Sequence, residues 1–123
     1  MPQDQISGAK ANAEGHARAQ KVAKYLGAKL IHPGISNEAT WNGKNICIKS
    51  ARQGNTLIGV TSAMLSHIES VVAALQEQDG KYSIFEVSST WFNSQMRIPA
   101  KWPNIGFVQC AKIRSNGRMI GSM

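Results

Sequence analysis

The chain has 123 residues, 42% of them aliphatic, aromatic or cysteine, which suffices for one domain with an apolar core. Fourteen Lys and Arg against seven Asp and Glu give a formal charge of +7, a balance that favours polyanionic partners, nucleic acid first among them. No apolar run is long enough to cross a bilayer, no basic amphipathic helix offers a bulky apolar face, and no secretory pattern opens the chain, so a cytoplasmic protein without a membrane partner is expected.

Residues 1–8 read as a loose arm. From Ala9 to Leu26 the chain reads as helix, because Ala19, Val22, Ala23 and Leu26 recur at the spacing of one helical face and Gly27 offers a stop. Glu14 lies four residues before Arg18, within reach along that helix. "KLIHPG" predicts a short strand ended by Pro33-Gly34. "EATW" and "KNICIKSAR" flank Asn42-Gly43, a dipeptide suited to the two positive φ values of a type I′ hairpin turn. "NTLIGVT" reads as a further strand. Ser62 to about Gln78 reads as a second helix, with Leu65, Ile68, Val72 and Leu75 on one face and Gly80 beyond its end. "KYSIFEVSS" has the length and apolar content of a strand buried on both faces. The tail, "FVQCAKIRSNGRMIG", reads as a second Asn-Gly hairpin, a β-ribbon with Lys112 and Arg114 two apart on one face. The fold class that follows is α/β (α+β), a mixed sheet with flanking helices and a β-hairpin tail, in one domain over 1–123.

The chemistry gathers at the first hairpin. Alternation along the second strand puts Asn45, Cys47 and Lys49 on one face and sends Ile46 and Ile48 to the other, toward the core. Folding back at Asn42-Gly43 sets Glu38 beside the strand that carries Lys49. An acid, a lysine and an intervening carbonyl at one point are what a hydrolytic Mg²⁺ site needs: hard oxygens for the ion and a cation beside the attacking water.

"NEA" followed by "CIKS" across that hairpin resembles the acid, hairpin and acid-x-Lys signature of the PD-(D/E)XK nuclease superfamily, the restriction-endonuclease-like proteins. The resemblance implies a restriction-endonuclease-like core over roughly residues 9–88 and metal-dependent DNA cleavage. It implies Glu38 as a catalytic and metal-binding acid, Lys49 as the catalytic lysine, the Ile48 carbonyl as a further ligand, and Glu14 as an acid from the first helix. A homodimer is implied too, since cutting two strands takes two sites. The motif departs from the family at Cys47, where a second acid belongs; a thiol is a soft and poor ligand for Mg²⁺. Glu69 on the second helix and Glu86 on the later strand are candidates for a relocated acid.

Lys44 and Arg52 on the hairpin, and Arg97, Lys101, Lys112, Arg114 and Arg118 beyond it, are the candidate nucleic-acid contacts, the last five without an acid after Glu86 to oppose them. Two other function classes stand beside the endonuclease: a non-catalytic nucleic-acid-binding module working through the tail, and a protein-interaction or oligomerisation domain. His16, His32 and His67 are too scattered for a zinc site, and no local Ser-His-Asp signature appears. Cys47 and Cys110 show no metal-ligand spacing and read as reduced thiols. Trp41, Trp91 and Trp102 read as core or interface residues.

Overall fold

A computed structural model describes residues 5–123, with side chains described from Glu14 onward. The first helix, α1 (Gln5–Leu26), already covers part of the expected arm, and residues 1–4 lie outside the described residues. Ala19, Val22 and Ala23 are buried, as the helical stripe requires, and the indole of Trp41 donates to the Leu26 carbonyl at 3.1 Å, satisfying one terminal carbonyl of α1.

The chain continues through β1 (Lys29–Leu30), β2 (Glu38–Trp41), β3 (Lys44–Ala51), β4 (Leu57–Thr61), α2 (Ser62–Leu65), β5 (Ser70–Gln76), β6 (Tyr82–Ser88), α3 (Ser89–Gln95), β7 (Ile105–Gln109), α4 (Cys110–Asn116) and β8 (Arg118–Ser122). Six strands form a mixed sheet in the order β1-β2-β3-β5-β6-β8, and β4 pairs with β7 in a separate ribbon. The α+β class read from the sequence is the observed one. Asn42 (φ 53°) and Gly43 (φ 78°) make the expected turn between β2 and β3.

Both faces of the large sheet are covered. On one face α1 packs against Ile46, Ile48, Val72, Ala74 and Ile84. On the other, Cys47, Val71, Ala73 and Leu75 meet Ile58, Val60 and Val108 of the ribbon, Phe92 of α3 and Ile113 of α4. No described helix is long and apolar enough to cross a membrane.

Two sequence expectations are corrected. The helix expected over 62–78 stops at Leu65, and Ser70–Gln76 is the central strand β5, parallel to β3 and antiparallel to β6. Sandwiched between two layers, β5 is apolar from Val71 to Leu75, so it shows no alternation, and its leucine and valine spacing imitates a helix. Burying Val71, Val72 and Leu75 contributes about 1.5–3 kcal/mol each, well beyond the few tenths per residue at stake in helix propensity. The second Asn-Gly turn is absent as well. Gly117 has φ −76° and follows the last residue of α4, whose Cys110 and Ile113 are buried three apart on one helical face. Lys112 and Arg114 are therefore helical, and the expected β-ribbon tail is a strand, a helix and a strand.

Candidate functional site

The register pairs Glu38 with Cys47, so the two side chains share a face of the hairpin, and Lys49 follows two residues along on that face. Glu38 and Lys49 therefore flank Cys47, as the alternation implied. The Ile48 N–H donates to the Asn37 carbonyl at 2.9 Å, so the Ile48 carbonyl emerges on the same edge of β3, just past the start of β2.

Cys47 itself is fully buried within the apolar layer. Burial pushes its thiol up to about 11; Lys49 opposes the rise and Glu38 adds to it. The sulfur is thus a buried packing group held toward its protonated form, unlike the exposed thiolate of a reactive cysteine.

The remaining acids do not fill its place. Glu14 rides on α1, across the sheet, with its carboxylate 3.5 Å from Arg52. Glu86 is paired in register with Val72, which puts it on the α1 face too. Lys44 and Arg118 (2.7 Å) hold it there as an ion triad. Burial alone would raise the Glu86 carboxyl, but hydrogen bonds from Lys44, Arg118 and Ser70 prevail and hold it below the usual carboxylate range. Glu69 is exposed in the turn ahead of β5, not on a helix; its N–H donates to the Asn45 carbonyl at 2.8 Å.

One partner was invisible in the sequence. His67 Nε2 lies 3.5 Å from Glu38 Oε1, brought there by the β4–α2 crossover that carries the chain from β3 to β5. Glu38, a carbonyl and an imidazole make a mixed donor set, short of the several anionic oxygens that Mg²⁺ demands. Among the described residues no group of three or more His, Cys, Asp or Glu side chains could hold a metal ion. The Mg²⁺ site implied by the nuclease resemblance does not fit these residues.

The candidate nucleic-acid contacts divide by their partners. Lys44 and Arg118 are committed to Glu86, Arg114 to Glu77, and Arg52 more loosely to Glu14. Arg97, Lys101 and Lys112 are exposed, and among the described residues no carboxylate lies within ion-pair distance of them. All three gather at the outer face of the β4–β7 ribbon. Arg97 and Lys112 line a cavity of about 490 Å³ there together with Trp102 and Phe107, and the Lys101 ammonium lies 5.2 Å from the centre of the Trp102 ring.

The glycine opposite Phe107 leaves room for the ring that lines the cavity. Gly59 pairs with Phe107 across the ribbon, and a Cβ on residue 59 would come within 2.6 Å of the Phe107 ring. Only glycine lets the ring lie down over β4. The segment after α3 runs beside β7 on the edge away from β4, tied by reciprocal Arg97–Phe107 backbone hydrogen bonds of 2.9 Å, and Trp102 lies 6.3 Å from Phe107, tilted by 53°. Trp102 is half exposed, whereas Trp41 and Trp91 are half-buried against the two cores. The sequence offered Trp102 only as one of three tryptophans; its singular exposure is set by the ribbon. The chain matches no known protein-family model and no curated protein sequence.

Proposed function

We propose that this protein is a nucleic-acid-binding domain that keeps the hairpin of a restriction-endonuclease-like core without its cleavage site. The observation that carries the reading is the gathering of Arg97, Lys101 and Lys112, unopposed by carboxylates among the described residues, around an exposed tryptophan. Cations not neutralised by a carboxylate are the ones best placed to release counterions from a phosphate backbone, and an aromatic ring beside them adds a face for a base. The active endonuclease is the second reading, favoured by Glu38 and Lys49 on one face astride Cys47. The buried, protonated thiol at the second-acid position weighs against it.

The two readings separate in one experiment. Protein at increasing concentration is mixed with supercoiled plasmid, with Mg²⁺ or Mn²⁺ present, and run on a gel. Retarded but intact plasmid is the expected result. Nicked or linear product that disappears in Lys49→Ala would establish the nuclease instead, and failure to retard either the plasmid or a single-stranded DNA at low salt would remove both readings in favour of a protein-interaction domain. A homodimer, the other expectation of the resemblance, is checked by sedimentation of the same samples.

A further inference from the structure

We infer that the cavity on the outer face of the β4–β7 ribbon captures an unpaired base of single-stranded nucleic acid. The inference rests on the nucleic-acid reading above and narrows it to a strand whose bases are free to leave the stack. Three features of the cavity point to this ligand. Its volume of about 490 Å³ lies in the ordinary range of small-molecule sites, roughly 300–1,000 Å³, room enough for a single base. Its floor and wall are aromatic, Phe107 beneath and Trp102 beside, with the rings tilted by 53° instead of stacked on each other; Lys101 lies over one face of the half-exposed indole, and we take the other face as the one a third ring meets. Its rim is cationic, with Arg97 and Lys112 in the lining, Lys101 over Trp102, and no acid among the lining residues.

A planar aromatic ring bearing a phosphate matches all three. The base is stacked on Trp102 over the apolar floor, and the exposed Gln109 amide at the margin offers a donor and an acceptor to its edge. Flanking phosphates meet Arg97, Lys101 and Lys112. A paired base in a duplex cannot reach the floor without paying for unstacking, so the cavity discriminates against duplex.

The test is fluorescence anisotropy with a labelled oligothymidylate of about fifteen nucleotides and with a duplex of the same length. The wild-type chain is expected to bind the strand more tightly than the duplex. Trp102→Ala should weaken strand binding by about tenfold or more and duplex binding by less than twofold, and Trp102→Phe should recover most of the loss. Thermal unfolding of each variant is followed in parallel, and the half-exposed position of Trp102 predicts little change. If Trp102→Ala weakens strand and duplex alike, or neither, while both still bind, the base pocket is overturned and the broader nucleic-acid reading survives. Displacement of the strand by an equal concentration of AMP would also overturn the inference, since the cavity would then serve a free nucleotide. If wild-type protein binds neither strand nor duplex at low salt, the reading on which the inference rests falls with it.

Discussion

At Cys47 the side chain decides between two chemistries. Opposite it stands Glu38, two residues on stands Lys49, and the sulfur closes the space between them with no solvent contact. A carboxylate here would sit directly against Glu38, and two close carboxylates need a cation to stay ionised. The Cys47→Glu variant should therefore be destabilised in EDTA by several kcal/mol, seen as a lowered melting temperature. If the hairpin retains the geometry of a metal-dependent nuclease, Mg²⁺ should raise that melting temperature and bring plasmid cleavage, which Lys49→Ala in the same background should remove. A folded Cys47→Glu variant indifferent to Mg²⁺ would make residue 47 an ordinary strand position.

Elements differ in how far their own residues determine them. The β2–β3 hairpin was legible because its turn is local: Asn42-Gly43 selects the turn, the turn fixes the register, and the register fixes which side chains share a face. β5 was not legible, because layers on both sides erase alternation, and only the neighbours β3 and β6 distinguish it from a helix. Ala74 discriminates the two descriptions. In the expected helix it would fall opposite the stripe of Leu65, Ile68, Val72 and Leu75, open to water, and a lysine there would cost little. In the strand Ala74 is fully buried beneath α1, so Ala74→Lys should cost about 4 kcal/mol or more, or prevent folding, as judged by urea denaturation. A neutral result would sink the strand assignment. The same reasoning accounts for the site. Glu38 and Lys49 were readable as a pair because one hairpin joins them, whereas His67 beside Glu38 and the Trp102–Phe107 cavity arise from crossovers that no short stretch encodes. At the tail, the local Asn-Gly signal was overridden by burial of Cys110 and Ile113 on one face of α4.

Across the whole molecule, the net charge of +7 is divided between cations that hold the fold and cations that face outward. The Glu86 triad belongs to the first group, tying β3, β6 and β8 on the α1 face. Because the Glu86 carboxyl is held below its unfolded value, its contribution is complete above the ordinary carboxylate pKa and is lost as pH falls through the lowered folded value. Glu86→Gln should accordingly be less stable than wild type by about 1–3 kcal/mol at pH 7, with the difference shrinking under acid, measured by urea unfolding at a series of pH values. A difference that grows under acid would contradict the triad.

The second group sets the response to salt. Each cation that neutralises a phosphate releases counterions, so the slope of log affinity against log salt counts the contacts made. Arg97, Lys101 and Lys112 have no carboxylate partner among the described residues, whereas Arg118 already spends its charge on Glu86 and Arg114 on Glu77. Single alanine replacements at residues 97, 101 and 112 should each make the slope shallower by about 0.7 on a single strand and about 0.9 on a duplex. Arg118→Ala should leave the slope nearly unchanged and instead lower thermal stability, because it strips one donor from a buried carboxylate. Slopes measured by anisotropy between low and moderate salt decide the matter. Equal losses at residues 97 and 118 would mean that binding follows bulk charge alone, and the ribbon surface would lose its claim to be the interface.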